Sequence, residues 1–258
     1  MSIITNFIQQ LPIYLLSLPI ILLALSVHET AHGYVAYKLG DPTAKNYGRL
    51  TLNPIKHIDV FGFISMLLFH IGWAKPVPVN SRYFKKPKRD MAITGAAGPV
   101  SNLLLAVVFL IILRVAMIFI TKSYFGEALN VVYYATAPAS TAFTAVSLLV
   151  YILDLGVTLN ISLAIFNMLP FPPFDGSRIF YVFLPEKIYF KIMKYEQIIM
   201  LVLLVVLFFG FLDGPLNAAF NFITNGLFTL AGMGDNELIT YSLMHSHVYN
   251  VLGSLALG

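Results

Sequence analysis

Long apolar stretches are the feature that most constrains this fold. Four of them, at about 11–39, 91–120, 140–169 and 195–212, are close to or above the ~20 residues that a helix needs to cross a bilayer. The chain is 58% hydrophobic and only 11% charged, and its mean hydropathy of +0.80 exceeds that of water-soluble domains. We therefore expect an α-helical, multi-pass protein of the cell membrane, with the lipid bilayer as its solvent.

Two further stretches leave the number of membrane helices open at about four to six. Phe61–Gly72 is about a dozen residues long, which fits a re-entrant or interfacial segment better than a full crossing. Pro215–Met233 is long enough to cross, but Asn217, Asn221 and Asn225 recur every four residues and would share one face. Such a face is typical of a helix that lies at an interface or packs against others.

Several classes of site are excluded by composition. The chain has no cysteine, so it can form neither disulfides, nor thiolate metal sites, nor a cysteine nucleophile. The amino terminus lacks a basic region and a small-residue cleavage signature, so the first apolar stretch is expected to be a permanent span. Without an internal repeat or a long linker, we expect a single membrane-embedded domain over residues 1–258. Its expected parts are a core at about 11–185, which includes a loop at about 44–80, and C-terminal helices and a tail at 195–258.

Basic residues indicate the orientation. If the short apolar segment is re-entrant, every Lys and Arg except Arg114 and Lys122 falls within 38–90 or 178–194. The positive-inside rule places these two stretches in the cytoplasm, and the amino terminus then lies outside. The basic run Arg82–Arg89 is interpreted as a topology signal beside anionic lipid headgroups, so no nucleic-acid partner is expected.

The sequence His28-Glu29-Thr30-Ala31-His32 lies in the second half of the first apolar stretch. Charged or metal-seeking side chains at that depth are costly, so they indicate a functional site. On a helix, His28 and His32 are four residues apart and share a face, within reach of one zinc ion. Glu29 points off that face and is free to transfer protons.

A second polar cluster follows the stretch 140–169, which returns to the cytoplasmic side. The segment Asn167–Gly176 contains three prolines, which stop the helix, and irregular backbone at membrane depth is tolerated only where it is buried or lines a cavity. Asp175 therefore arrives at the same side of the membrane as His28 and His32. Because catalytic zinc sites commonly use three protein ligands and one water, we expect these three residues to bind Zn²⁺ towards the cytoplasmic side.

Three motifs occur in order between about residues 15 and 185. They are His28-Glu29-x-x-His32, Gly98-Pro99-x-x-Asn102, and Asn167 through Asp175-Gly176. The first motif alone is weak, but the three together are specific. With them the chain resembles the site-2 protease family of intramembrane zinc metallopeptidases, and in particular its minimal prokaryotic branch, because there is no room for PDZ or CBS domains.

The resemblance implies an activity and a role for each motif residue. The expected function is zinc-dependent cleavage of a peptide bond in or near the transmembrane segment of a membrane-anchored protein. Glu29 would act as general base and acid on zinc-bound water. Asn167 would donate its amide to the oxyanion of the tetrahedral intermediate. For Asn102, both support of the active site and simple packing between spans remain open.

A helical substrate must be unwound before it can be cut, because its peptide bonds are hidden by their own hydrogen bonds. The segments 47–53 and 76–80 read as short strands, and Pro76 and Pro78 restrict the second to an edge. Such an edge could bind an extended substrate by strand addition. The resemblance likewise implies a re-entrant β-hairpin loop near the site, although a hairpin that only plugs the site is an open alternative.

A function of a different class uses the same three ligands. A non-proteolytic membrane protein could carry or sense a divalent metal through His28, His32 and Asp175. Glu29 discriminates between the two functions, because transport or sensing has no need of a non-ligating carboxylate beside the first histidine. Its presence favours hydrolysis.

Other polar residues have structural interpretations. His57 and His70 are expected to be packed or interfacial rather than metal ligands. Arg114 and Asp154 lie within neighbouring apolar stretches at compatible depth, so a buried ion pair between them is expected. His245 and His247 are expected to lie in a solvated C-terminal tail, with weak metal binding by this His-x-His pair as the open alternative.

Overall fold

The chain folds almost entirely into helices. The computed structural model describes residues 3–69, 72–122, 141–185, 188, 191–192, 194–233 and 235–255. Within this part of the chain the α-helices, in order, are α1 (Ile3–Lys38), α2 (Thr43–Asn46), α3 (Val60–Phe69), α4 (Pro87–Ile120), α5 (Thr141–Asn167), α6 (Asp175–Phe180), α7 (Glu196–Phe208), α8 (Asp213–Leu230) and α9 (Asp235–Leu255). Single 3₁₀ turns lie at Pro54–Lys56, Ser81–Tyr83 and Tyr181–Phe183.

Three of these helices are long and apolar enough to cross a membrane. They are Leu11–Lys38 of α1, α4 and α5, with lengths of 28, 34 and 27 residues. Large apolar side chains on α4 remain exposed, among them Leu104 and Phe119, as expected for a helix surrounded by lipid rather than water. The prediction of an α-helical multi-pass membrane protein is confirmed.

The fourth predicted span is shorter than its apolar stretch. α7 has 13 residues and ends at Phe208, which is below the ~20 needed for a full crossing. The chain turns immediately afterwards, where Gly210 has φ of 71°, a left-handed conformation that favours glycine and ends helices. α8 follows with its three asparagines exposed, which keeps the polar face that the sequence predicts.

The loop after α1 forms without the predicted strands. Among the described residues the β-pairing consists of an isolated antiparallel bridge between Ile58 and Ala74, so the expectation of strands at 47–53 and 76–80 is wrong there. The first segment begins in a turn, where Gly48 has φ of 63°. The second has no regular secondary structure, and its two prolines lack the N–H groups that a ladder requires.

By its internal contacts the chain divides into two compact units. The first unit comprises Met1–Ile21, Leu105–Leu159 and Thr224–Gly258, and the second comprises Leu22–Leu104 and Asn160–Ile223. The second unit contains every residue that the sequence predicts for the metal site. The first unit contains Arg114 and Asp154.

In the first unit Arg114 does not pair with Asp154 as predicted. Its guanidinium forms an ion pair with Glu237 at the start of α9. It also donates hydrogen bonds to the carbonyl oxygens of Ala231 and Gly232, each at 3.0 Å. Arg114 therefore joins α4 to the turn between α8 and α9, and the depth argument selected the wrong partner because α9 was not anticipated.

The C-terminal tail is a partly buried helix rather than a solvated segment. Met244 and Val248 of α9 are fully buried. The Nε2 atom of His245 lies 3.4 Å from the Asp154 carboxylate, and that of His247 lies 3.2 Å from the Thr144 hydroxyl. The prediction of a solvated tail is therefore wrong for the two histidines, because they pair with polar groups of α5.

Candidate metal centre

Two histidines of α1 form the base of the site. His28 and His32 are both buried, with exposed fractions of 5% and 7%. Because they are one helical turn apart, their rings stack edge to face with centroids 4.6 Å apart. Their Nε2 atoms lie 3.0 Å from each other, so the two imidazoles converge on one point.

Asp175 reaches the same point from the beginning of α6. Its Oδ2 atom lies 3.0 Å from Nε2 of His28 and 3.1 Å from Nε2 of His32. The next residue is glycine for a steric reason: a Cβ at Gly176 would lie 2.3 Å from the carbonyl oxygen of Met168, so only glycine lets α6 pack against the end of α5. One ligand atom from each of the three residues lies within 4.8 Å of the others.

Hydrogen bonds at the far side of each ring fix the tautomers. The Asn102 amide nitrogen donates to the carbonyl oxygen of Ala24 at 3.2 Å, so its oxygen faces Nδ1 of His28 at 2.6 Å. Nδ1 of His32 donates to the carbonyl oxygen of Thr94 at 2.7 Å. Since both neutral rings carry their proton on Nδ1, the lone pairs of both Nε2 atoms point at Asp175.

The charge of Asp175 completes a set of donors that suits a cation. Its carboxylate oxygen faces the Nε2 lone pairs at 3.0 and 3.1 Å, and lone pairs that face one another in this way are stabilised by a cation between them. Two imidazole nitrogens and one carboxylate oxygen are a common ligand set of catalytic zinc. Glycine at position 98 also leaves space beside the ligand atoms, because a Cβ at Gly98 would lie only 2.4 Å from Nε2 of His32. The three residues therefore fit a zinc ion.

Glu29 lies beside this centre but is not among its ligand atoms. Its side chain is buried, with 9% exposed. The Oε2 atom accepts a hydrogen bond from the backbone N–H of Val77 at 2.7 Å. Within the described residues no partner is present for Oε1, so one carboxylate oxygen is fixed and the other is available for chemistry.

A residue that the sequence analysis missed supports the site from behind. Asn160 of α5 is fully buried, and its side-chain oxygen accepts a hydrogen bond from Asn102 at 2.8 Å. A chain of hydrogen bonds thus runs from Asn160 through Asn102 to His28. An asparagine within an apolar span, seven residues before Asn167, was the available signal.

Two predicted residues have partners away from the ligand atoms. The Asn167 amide nitrogen donates to the carbonyl oxygen of Leu163, one turn back in its own helix, at 3.0 Å. His57 is buried, with 2% exposed, and its Nε2 donates to the carbonyl oxygen of Thr51 at 2.7 Å. This contact agrees with the packed role predicted for His57, whereas His70 lies outside the described residues.

Comparisons with known proteins find a matching family model and similar curated proteins. The model of Peptidase family M50 matches residues 16–210. A protein of Bacillus subtilis (strain 168), named "Putative zinc metalloprotease YwhC", is 40% identical over 188 residues, covering 72% of this chain and 77% of that protein. "Putative zinc metalloprotease Rip2" of Mycolicibacterium smegmatis is 28% identical over 160 residues, covering 60% and 52%. No solved structure matches.

Proposed function

Because this chain belongs to peptidase family M50, the site-2 protease family, we propose that it hydrolyses a peptide bond in or near the transmembrane segment of a membrane-anchored protein. Membership makes it a zinc metallopeptidase, and its apolar helices make it a multi-pass membrane protein. The observation that carries the proposal is the convergence of His28, His32 and Asp175 inside apolar helices, with Glu29 buried beside them.

The chemistry assigns a separate task to each side chain. Bound zinc would polarise the scissile carbonyl and lower the pKa of the attacking water. Glu29 accepts the proton of that water through its free oxygen and passes it to the leaving amine. His28 and His32 would bind the metal through Nε2, with their rings oriented by the Asn102 side-chain oxygen and the Thr94 carbonyl oxygen, which accept the Nδ1 protons. Burial excludes bulk water and strengthens each of these interactions.

Asn167 is proposed as the donor to the oxyanion. Its amide now donates to Leu163 within the same helix, so it would exchange this bond for one to the developing negative charge. A single oxyanion donor of this kind contributes about 10²–10³ to kcat. The helix ends at Asn167, and Pro170 prevents it from continuing, so the Asn167 side chain lies beside irregular backbone.

The substrate is proposed to lie extended along the loop between α1 and α4. Of the two candidate edges, 76–80 has little to offer, because its prolines lack N–H groups and the amides of Val77 and Asn80 already donate to Glu29 and Asp41. The other edge, 47–53, includes three consecutive residues, 50–52, whose amides have no partner among the described residues. We therefore place substrate pairing at 47–53.

The proposed orientation follows the distribution of positive charge. The loops 38–90 and 178–194 carry nearly all the basic residues, which places them in the cytoplasm, the amino terminus outside and the active site towards the cytoplasmic side. A cysteine-accessibility assay on intact cells tests this, since the chain has no native cysteine. Labelling of a cysteine at Lys86 by an impermeant reagent from outside would contradict the orientation.

The decisive test replaces the proposed base. Glu29→Gln keeps the shape of the side chain but cannot accept a proton, so purified full-length protein is expected to keep its zinc and lose cleavage of single-span reporter proteins. Asp213→Asn, at an exposed position, is the matched control and should cleave normally.

In the same assay Asn167→Ala should lower kcat by about 10²–10³.

The outcomes separate the possible functions. Cleavage by wild type and its loss in Glu29→Gln at full zinc occupancy supports the peptidase. Unchanged cleavage by the purified Glu29→Gln variant would remove the base assignment. Zinc binding by a wild type that cuts no reporter, together with zinc movement across sealed vesicles, would instead support a metal carrier.

A further inference from the structure

The segment Ala74–Asn80 lies against the second half of α1, and we call it the strap. It contains the sequence Lys75-Pro76-Val77-Pro78-Val79. In the described residues it belongs to no helix or sheet, yet it is fixed at both ends and at its centre.

Buried charged side chains hold the two ends of the strap. Arg49, with 8% exposed, donates from Nη2 to the carbonyl oxygens of Lys75 and Pro76 at 2.6 and 3.4 Å. Asp41 is fully buried and accepts a hydrogen bond from the backbone N–H of Asn80 at 2.6 Å. Charge-assisted bonds of this kind are among the stronger ones in proteins, so the strap is a built element rather than a loose loop.

The centre of the strap contacts Glu29. Val77 is buried, with 8% exposed, and its N–H donates to Oε2 of Glu29. Its side chain packs onto α1 at Gly33, where an added Cβ would lie 3.0 Å from a Val77 methyl group. The flanking prolines, Pro76 and Pro78, fix the local backbone as extended and leave Val77 as the one amide donor between Lys75 and Val79.

We propose that the strap positions the general base, with the Val77 N–H holding one oxygen of Glu29 so that the other faces the attacking water. This inference rests on the proposed function. A glutamate side chain has several accessible rotamers, and burial beside two histidines does not choose among them. The hydrogen bond selects one rotamer of Glu29, because it joins Oε2 to a backbone N–H in a segment that Arg49 and Asp41 hold in place. Misplacing a reacting group by about 1 Å costs about 100-fold in rate.

Proline substitution tests the contact with minimal disturbance. Val77→Pro deletes the N–H, while Pro78 already requires an extended conformation at this position. The matched control, Val79→Pro, adds a proline to the same strap at an amide without a hydrogen bond among the described residues. We expect Val77→Pro to lower kcat by about 10- to 100-fold with KM within about twofold and zinc content unchanged, whereas Val79→Pro stays near wild type.

The direction in which kcat changes in Val77→Pro shows whether the strap positions Glu29 or obstructs it. If the strap merely covered Glu29 and had to leave for catalysis, Val77→Pro would raise kcat, and that result would overturn the proposal. An unchanged kcat would overturn it as well. A rise in KM with constant kcat would assign the strap to substrate binding and also contradict a positioning role.

A second measurement is independent of activity and of the folding of the proline variant. In a peptide that covers 76–79, only Val77 and Val79 have exchangeable amides, so hydrogen–deuterium exchange reports on the contact. Glu29→Ala should accelerate exchange of the Val77 amide by about tenfold, with Val79 unchanged. Equal exchange in wild type and Glu29→Ala would refute the contact.

Failure of this inference differs from failure of the proposed function. Wild type that cuts reporters while Glu29→Gln does not establishes the function, and a fully active Val77→Pro then removes the strap alone. Wild type without any cleavage overturns both.

Discussion

Two polar clusters in this protein, one buried and one partly buried, balance their charges and lone pairs in different ways. In the second unit, His28, His32 and Asp175 direct lone pairs at one point. In the first unit, the Arg114 guanidinium meets the Glu237 carboxylate. Groups with lone pairs repel one another unless a cation or a proton lies between them, whereas an ion pair is complete by itself. Polar residues in apolar helices therefore indicate a metal centre only where several lone pairs converge on one point without a positive charge among them.

The supporting contacts differ in the same way. Behind the histidines, Asn102 and Thr94 fix which ring nitrogen carries the proton, which matters for binding a metal and not for packing. Around Arg114, the partners are the carbonyl oxygens of Ala231 and Gly232 at the end of α8. These contacts fasten helices to one another. We infer that the first cluster serves chemistry and the second serves stability.

The largest expected effect comes from removing a ligand. Asp175→Ala leaves two imidazoles and no negative charge, so zinc affinity should fall by more than about 100-fold, beyond the 10- to 100-fold typical of supporting residues. Bound zinc per chain, measured after equilibration with a competing chelator, checks this. The exposed carboxylate of Asp213 supplies the control, and Asp213→Ala should bind zinc normally. Full occupancy in Asp175→Ala would exclude it as the third ligand.

A smaller effect is expected from the residue behind His28. Asn102→Ala removes the acceptor for Nδ1, so zinc affinity should fall by about 10- to 100-fold. Asn102→Asp keeps an acceptor for Nδ1, and zinc binding should be largely restored. If both variants bound zinc like wild type while losing thermal stability, Asn102 would serve packing between helices. Asn225→Ala, on the exposed face of α8, controls for loss of an amide.

The convergence of His28, His32 and Asp175 could be predicted because its signals are local. His28 and His32 are one turn apart on a helix that apolar composition makes certain, and Asp175 follows a run of prolines that must end α5. The residues that support the ligands are harder to predict from the sequence. Asn160 contacts Asn102 across a helix interface, and the choice among possible interhelical partners depends on packing that helical periodicity does not encode.

The errors lie where local pattern competes with tertiary contacts. The alternation in 47–53 favoured a strand, but Arg49 is buried and donates to the strap instead of facing solvent. The polar character of α9 favoured a solvated tail, but its carboxylate and histidines pair with α4 and α5. Arg114 was given the wrong partner for this reason, since the correct one lies on a helix that hydropathy alone does not reveal.

The smallest expected effect concerns the ion pair between Arg114 and Glu237 in the first unit. Glu237→Gln removes the charge opposite Arg114, whose side chain is 24% exposed against 15% for Glu237. We expect a loss of about 1–2 kcal/mol of stability, below the cost of breaking a fully buried pair, seen as a lower unfolding temperature in detergent. Zinc affinity should stay unchanged, because this pair supplies no group to the metal centre.

The double variant Arg114→Met/Glu237→Met makes this prediction specific. If the pair acts by mutual neutralisation, each single change leaves an uncompensated charge, and the double change should cost less than the two single changes added together. Strict additivity would mean that Arg114 acts through the carbonyl oxygens of Ala231 and Gly232 instead. A fall in zinc affinity in Glu237→Gln at unchanged stability would break the comparison itself, since a residue assigned to holding helices together would then be acting on the metal.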